Sequence, residues 1–224
     1  MPTLHVVRVF AGEDGRGGNL LGVFLDGAAV AAERRQAVAA RLGFAETVFV
    51  DDAARGVVRI FTPGTEMRFA GHPLVGTSWL LRREGHAVDV LRPPVGDVPV
   101  RAGEDSAHIT GRGEWNDFEF VQLPSPTEVD ALAGPPQGRR LVSAWAWIDE
   151  PRGEVRARVF PQEIGIEEDE ATGMAAVGMA CMLGRALRIQ QGVGSLLLAR
   201  SAGDGWAEVG GRVAMVETRE DPGA

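Results

Sequence analysis

The chain has 224 residues, a formal net charge of −8 and a pI near 5.1, which argue against nucleic acid or an anionic membrane surface as partner. Its hydrophobic content of 45% and charged content of 24% are typical of a globular protein with one large core or two smaller ones. The single cysteine, Cys181, excludes an internal disulfide, and the absence of tyrosine and lysine excludes phenol and Schiff-base chemistry. Carboxylates, four histidines, hydroxyls and backbone dipoles are left to carry any catalysis.

Targeting and cofactor motifs are absent from the sequence. No apolar run reaches the roughly 18 to 20 residues of a membrane span, and the N-terminus lacks the basic and apolar regions of a signal peptide. We therefore expect a cytoplasmic protein without membrane contact. Neither a metal motif such as HExxH nor a glycine-rich nucleotide loop occurs. We therefore expect no metal and no cofactor.

The first predicted elements are strands at residues 3–10, 20–25 and 44–50, and a helix over residues 28–42 that ends at Gly43. In the third strand, period two places Glu46 on the same face as Phe44, Val48 and Val50. A carboxylate in apolar surroundings is costly without partners. Two interpretations of Glu46 stay open: a strand-end carboxylate bound to a neighbouring turn, or a general base whose pKa is raised by its apolar neighbours.

The segment from Val58 to Leu81 predicts a strand, a break and then a helix that begins near Gly71. Pro73 is tolerated in a first helical turn, and residues 74–81 carry no charge, which indicates a buried helix. The N-terminus of such a helix suits a carboxylate or a developing oxyanion. His72 beside Gly71 is either a structural histidine at a turn or part of an active site.

The remaining elements are predicted mostly as short strands. Strands are expected at residues 88–91, 98–101, 118–123, 141–148, 155–160, 195–199, 206–209 and 212–217, the last three separated by glycine-rich hairpins. Residues 103–117 are rich in glycine and acidic side chains and form the best candidate boundary. Residues 124–140 are expected to form a loop with at most a short helix.

Residues 158–183 repeat the order of features in residues 59–81. Arg59-Ile60-Phe61 matches Arg158-Val159-Phe160, and GHPLVG at 71–76 matches GMAAVG at 173–178. The repeat predicts an α+β protein of two pseudo-symmetric halves, residues 1–110 and 111–224, each an antiparallel sheet wrapped around a central apolar helix. We expect the two helix N-termini to face each other across a cleft.

An acidic run precedes the second of these helices. Glu167, Glu168 and Glu170 are interpreted as favourable charges at its N-terminus, whereas Asp169 is expected nearest the cleft. Cys181 is interpreted as a small buried side chain in the helix interior.

Five segments carry a resemblance to a known family. They are VRVFAGEDGRGGNLLGVFLD (7–26), LGFAETVFV (42–50), RIFTPGTEMRFAGHPLVGT (59–77), ARVFPQEIGIEEDEATGMAA (157–176) and, more weakly, IQQGVGSLLLARS with the closing VGGRVAMV. The order and spacing of Glu-Thr-Val-Phe and Phe-Ala-Gly-His-Pro are specific. The chain resembles the PhzF family of phenazine-biosynthesis-like proteins, which share the diaminopimelate epimerase fold.

The resemblance implies a cofactor-free isomerase that moves a proton on a small carboxylate-bearing substrate, and it implies a homodimer. The general acid/base glutamate of the family falls on Glu46, its active-site histidine on His72 and its second-half aspartate on Asp169. The substrate would be held by Asn19, by the backbone at Gly71 and Gly173, and by the residue at Met174.

Three departures from the family pattern stand out. The family motif D-P-A-T-G-S is here Asp169 to Met174, with methionine in place of the substrate-contacting serine, and G-N-P is here Gly18-Asn19-Leu20. The chain is also short between residues 124 and 155. We therefore expect a substrate other than 2,3-dihydro-3-hydroxyanthranilate.

Two alternatives remain. One is a catalytically inactive member that binds a small acid or a partner protein, a reading that Met174 favours. The other, less favoured, is a two-base amino-acid racemase, since racemases of this fold use a cysteine pair and only Cys181 is present.

Overall fold

The structure, a computed structural model, describes residues 1–224. Its helices are α1 (Ala32–Leu42), α2 (Gly71–Arg83), α3 (Pro126–Asp130) and α4 (Gly173–Leu183). Its strands are β1 (Thr3–Ala11), β2 (Asn19–Phe24), β3 (Glu46–Asp52), β4 (Val57–Phe61), β5 (Glu66–Met67), β6 (Val90–Leu91), β7 (Val98–Ala102), β8 (Ser106–Arg112), β9 (Glu119–Gln122), β10 (Leu141–Asp149), β11 (Glu154–Pro161), β12 (Ala186–Gln191), β13 (Ser195–Gly203) and β14 (Trp206–Glu220). None of the helices has both the length and the apolar character that crossing a membrane requires.

The chain forms two compact units, and both are discontinuous in sequence. Unit 1 consists of Met1–Val9, Asn19–Ile109 and Arg212–Ala224, and unit 2 of Phe10–Gly18 and Thr110–Gly211. The sequence suggested a single boundary at residue 110. Residues 10–18 lie before this boundary but belong to unit 2, and residues 212–224 lie after it but belong to unit 1. The reason is that β1 and β14 both continue from one unit into the other.

Unit 1 is built around a mixed sheet. Strand β2 pairs with β1 in antiparallel and with β3 in parallel orientation, and β3, β4 and β5 follow as antiparallel neighbours. After α2 the chain returns to β4, where Arg92 bridges Val57 in parallel orientation. Strands β6, β7 and β8 then form an antiparallel meander. Helix α2 is thus the crossover of a β-α-β connection.

Unit 2 repeats this order of pairings. Strand β9 pairs with β10 in parallel, β10 with β11 in antiparallel, and, after the crossover through α4, β11 with β12 in parallel orientation. Strands β12, β13 and β14 close an antiparallel meander. The predicted α+β fold of two similar halves is confirmed. The strands of each unit form a mixed arrangement and not the antiparallel one expected, because each helical crossover returns the chain in the same direction.

Ion pairs show the duplication at the level of side chains. Arg59 on β4 makes a two-bonded pair with Glu66, and Arg158 on β11 makes the same pair with Glu168, with N–O distances of 2.6 and 2.8 Å. Hydrogen bonding to the carboxylate raises the pKa of both guanidinium groups. The matched arginines of the sequence repeat therefore occupy equivalent places in the two units.

Helix α2 confirms the expectation of a buried helix. All residues from Gly71 to Leu81 are buried, and charge begins only at Arg82. A Cβ atom at Gly76 would lie 2.7 Å from the side chains of Leu21 and Val9. The helix therefore packs on β1 and β2 at a distance that only a residue without a side chain permits.

Two glycines, one in each unit, lie against the strand that follows the helical crossover, and they allow a stability prediction. Gly56 has φ +67° and a Cβ there would lie 2.3 Å from Val90 O, while Gly153 has φ +72° with Ala186 O at 2.4 Å. We expect Gly56→Ala and Gly153→Ala each to lower the free energy of unfolding by about 2 to 4 kcal/mol, from left-handed strain plus overlap with backbone. Urea denaturation measures this loss.

Gly85 provides the control for this prediction. Its φ is +88°, and no atom lies within 4 Å of the place where a Cβ would be. Gly85→Ala therefore adds the left-handed strain without the overlap, and we expect a loss of about 1 kcal/mol. Equal losses of unfolding free energy in all three variants would show that close packing against backbone is not what requires glycine at positions 56 and 153.

Several predicted boundaries were wrong. Helix α1 begins at Ala32 and not at residue 28, because the buried Arg35 donates to the carbonyls of Val30 and Gly27 and thereby holds these residues outside the helix. Strand β8 was not predicted and lies within the candidate boundary at residues 103–117, although Ala107 and Ile109 alternate as fully buried residues within it.

The C-terminal strands also differ from the prediction. Strand β12 was not predicted, and β14 runs unbroken through Gly210 and Gly211, where a hairpin turn was expected. A Cβ at Gly211 would lie 2.9 Å from Leu196 O and from the Phe10 ring. The glycine at this position serves close packing inside a ladder and not a turn.

Candidate active site

Glu46 is the first residue of β3, and its side chain is only 13% exposed. The expectation that it shares a face with Phe44 was wrong, because the strand begins at Glu46 and Phe44 packs against the cluster that contains Phe24 and Phe49. The carboxylate faces the other side of the strand.

His72 is the second residue of α2, and its side chain is 5% exposed. Its Nε2 atom lies 3.1 Å from Glu46 Oε2. Two titratable groups at hydrogen-bond distance, largely shielded from water, can share or exchange a proton. The structure therefore joins two of the residues that the sequence singled out separately.

Asn19 lies on the same face of the unit 1 sheet as Glu46. It begins β2, is 8% exposed, and precedes Leu21 by two residues, so the two side chains point the same way. Leu21 is the parallel partner of Glu46 and also contacts α2 at Gly76. The amide, the carboxylate and the start of α2 therefore meet on one face.

The N-terminus of α2 carries no side-chain cap. Its N-cap residue is Ala70, in an extended conformation, and Gly71 is buried as the first helical residue. Backbone N–H groups in the first turn of a helix are left for an external acceptor when no side chain caps them. This helix start can therefore stabilise negative charge that develops close to Glu46 and His72.

Asp169 lies just before α4 in unit 2. Its N–H donates to Val159 O at 3.0 Å, and its Oδ2 accepts the hydroxyl of Thr172, the N-cap of α4, at 2.7 Å. Gln191, only 2% exposed, accepts the Thr172 N–H at 3.1 Å and donates to Asp169 O at 2.8 Å. Sequence reasoning missed Gln191; the one signal was its alternation with the apolar Leu187 and Ile189 in β12.

Gly173 and Met174 are the first two residues of α4, Gly173 buried and Met174 half-buried. In the duplicated topology Met174 corresponds to His72. Leu141, the first residue of β10, corresponds to Glu46, because Phe61 and Phe160 pair with the residues that follow each of them. The Glu46–His72 pair of unit 1 is therefore replaced by two apolar side chains in unit 2.

Cys181 is half-buried rather than part of the core. Its Sγ lies 3.4 Å from Gly205 O, and burial raises the pKa of the thiol. A thiol with a raised pKa is protonated at neutral pH and is a poor base or nucleophile. The two-base racemase alternative therefore gains no support from this residue.

The acidic run before α4 has a different role from the one expected. Glu168 pairs with Arg158, and Glu170 accepts the N–H of Val193 at 2.9 Å and the hydroxyl of Ser195 at 2.7 Å. These two carboxylates bind specific partners in unit 2 and do not serve as general charges at the helix start. Sequence reasoning missed Ser195 as well, since a serine after a glycine-rich turn carries no distinguishing signal.

A family profile described as phenazine biosynthesis-like protein (PhzC-PhzF) matches residues 7–133, more than half of the chain. The chain belongs to this family. This chain is 30% identical to trans-2,3-dihydro-3-hydroxyanthranilate isomerase of Pseudomonas chlororaphis over 241 aligned residues. The alignment covers 83% of this chain and 86% of that relative. The predictions of a PhzF-type protein and of an isomerase are confirmed.

Solved structures agree on the fold. A phenazine biosynthesis protein of the PhzF family from Enterococcus faecalis superposes with a TM-score of 0.77 at 19% identity, covering 97% of each chain. A hydroxyproline epimerase from Agrobacterium vitis gives 0.62 at 12% identity, covering 99% of this chain and 93% of the epimerase. The PhzC-PhzF chain therefore has the epimerase-like fold that the resemblance implied.

Proposed function

We propose that this protein is a cofactor-independent isomerase that removes a proton from one carbon of a small carboxylic acid and returns it to another. The observation that carries the proposal is the 3.1 Å separation of Glu46 Oε2 and His72 Nε2 at a helix start without a side-chain cap. The proposal includes the homodimer that the resemblance implies and a cytoplasmic location.

Glu46 acts as the base in this proposal. The C–H bond breaks, the proton moves to the Glu46 carboxylate, and the electron pair spreads into the unsaturated acid as an enolate-like anion. The first-turn N–H groups of α2 at Gly71 stabilise this charge in surroundings that hold little water. The same carboxyl group then returns the proton to a second carbon. His72 holds Glu46 in place and steers the protonation.

A single acid–base group distinguishes this reaction from racemisation. Inversion of a stereocentre by two bases requires a second group on the opposite face of the substrate. At the equivalent positions of unit 2 the chain has Leu141 and Met174, neither of which transfers protons. The proposal is therefore a proton shift along one face of the substrate, with Glu46 serving both steps.

Asn19, Asp169 and Gly173 position the substrate in the proposal. Asn19 offers an amide on the face of Glu46, and Asp169 together with Thr172 fixes the first turn of α4, where Gly173 presents its N–H. The carboxylate of the substrate is the group that such N–H donors recognise.

Met174 sets the substrate class. A half-buried thioether at the start of α4 offers an apolar contact, and a substrate hydroxyl directed there would lose its hydrogen bond to water without replacement. We therefore propose an unsaturated carboxylic acid whose edge at this point is apolar, in contrast to the hydroxylated acid named for the Pseudomonas chlororaphis relative.

Deuterium uptake from D2O, followed by NMR, tests the function. The acids are trans-2,3-dihydro-3-hydroxyanthranilate and a panel of small unsaturated carboxylic acids, given to the native protein and to Met174→Ser. We expect native uptake into an acid of the panel. We expect the serine variant to raise kcat/KM for trans-2,3-dihydro-3-hydroxyanthranilate about tenfold or more, because a hydroxyl regains a partner.

Met182 provides the control for the methionine substitution. It lies near the end of the same helix and is 50% exposed. Met182→Ser therefore makes the same substitution in α4, but away from the start of the helix. Uptake into no acid by the native protein would reject the isomerase proposal. An unchanged preference in Met174→Ser would reject the role of Met174.

A further inference from the structure

The end of β1 and the loop between β1 and β2 contain four residues with positive φ. Phe10 is fully buried at φ +65°, and Gly15, Gly17 and Gly18 also have positive φ. A bulky side chain at positive φ is strained and persists only where its surroundings enforce it. The loop ends at Gly18, and the next residue is Asn19.

The loop packs against the turn at residues 192–195. A Cβ at Gly12 would lie 2.4 Å from Gly194 O, and one at Gly17 would lie 2.3 Å from Ser195 N. The two backbones are therefore packed directly against each other. Ser195 is 2% exposed, and its Oγ accepts the N–H of Gly18 at 2.7 Å.

Glu170 controls the direction of this serine hydroxyl. Ser195 Oγ–H donates to Glu170 Oε1 at 2.7 Å, and the Val193 N–H donates to the two carboxylate oxygens at 2.9 and 3.0 Å. A hydroxyl has one proton, so donating it to a carboxylate leaves only lone pairs for its other partner. The Ser195 oxygen is thereby fixed as an acceptor for Gly18.

We propose that Glu170 is a positioning residue that, through Ser195, fixes the backbone at Gly18 and so holds Asn19 ready for the substrate. The inference rests on the proposed function, in which Asn19 contacts the substrate. Proline, which the family motif has at the position of Glu170, accepts no such hydrogen bonds from its side chain. In this chain the side chains of Glu170 and Ser195 therefore connect the segment before α4 with the backbone of Gly18.

The test combines a measurement on the free protein with one on turnover. The variants are Ser195→Ala, Glu170→Ala and the nearly isosteric Glu170→Gln, with Glu167→Ala as the control because Glu167 is exposed in the same acidic run. Hydrogen exchange of the Gly18 amide is followed by NMR. KM and kcat are measured by deuterium uptake into the acid of the panel described above that the native protein turns over fastest.

We expect Ser195→Ala and Glu170→Ala to speed exchange of the Gly18 amide at least tenfold. We expect KM to rise about five- to tenfold with kcat changed less than twofold, because a misplaced Asn19 weakens ground-state and transition-state binding alike. Glu170→Gln should recover part of both effects, since it keeps one acceptor oxygen. Glu167→Ala should change neither.

Three results would overturn the inference: unchanged Gly18 exchange in Ser195→Ala, faster exchange with unchanged KM, or equal effects in Glu167→Ala. If the native protein catalyses deuterium uptake into none of the acids tested, the proposed function fails instead. The Gly18 exchange then decides alone whether Glu170 fixes this backbone.

Discussion

Glutamine in place of Glu46 is expected to lower kcat for deuterium uptake by about a thousandfold or more. The amide has the shape of the carboxylate but cannot accept the substrate proton, and loss of a positioned general base typically removes 10²- to 10⁴-fold in rate. Because Glu46 serves both removal and return of the proton in the proposal, both steps are lost together. The effect should fall on kcat, with KM changed little.

Two measurements accompany the Glu46 variant. Far-UV circular dichroism should be unchanged, since the substitution preserves the volume of the side chain. Glu150→Gln serves as the control, because Glu150 is exposed in the turn between β10 and β11. Deuterium uptake by Glu46→Gln at the rate of Glu150→Gln would remove Glu46 from the mechanism and favour a protein that only binds its acid.

Substitution of His72 by alanine should lower kcat by about a hundredfold. The imidazole lies 3.1 Å from Glu46 Oε2, so its removal leaves the carboxylate without the group that orients it. His72→Gln restores a hydrogen-bond donor of similar reach but cannot take up a proton. We therefore expect the kcat of His72→Gln to lie between those of His72→Ala and the native protein.

Glu46 and His72 should act as a unit. The double variant Glu46→Gln, His72→Ala is expected to lose little more than Glu46→Gln alone, since the histidine acts through the carboxylate. His86→Gln is the matched control, because His86 is exposed just after α2. Full additivity of the two losses, or a His72→Ala rate equal to that of His86→Gln, would separate the histidine from the base.

The sequence predicted best what local chemistry decides. The absence of charge from residue 74 to 81 predicts a buried α2. The matched strands at Arg59 and Arg158, each followed by a helix that begins at a glycine, predict the duplicated topology. The start of α1 could not be predicted, because it depends on where the buried Arg35 places its hydrogen bonds.

The site was predicted less completely, for a physical reason. Nothing local to Glu46 or to His72 indicates that they meet; their contact depends on the parallel register of β2 and β3 and on the packing of α2 over both. Gln191 and Ser195 were missed because their partners, Thr172 and Glu170, are distant in sequence. Polar residues in strands look solvent-facing until the fold supplies their partners.

The discontinuity of unit 1 has a consequence for protein synthesis. Residues 212–224 complete this unit: Asp221 pairs with Arg41 at 2.5 Å, the Asp221 N–H binds Pro2 O, and Val213 N–H binds Asp105 O. The ribosome translates this segment after all segments of unit 2, which end at Gly211. The unit that carries Glu46 and His72 is thus translated mostly first and finished last. A nascent chain therefore cannot complete the unit that carries Glu46 and His72 before residues 212–224 are made.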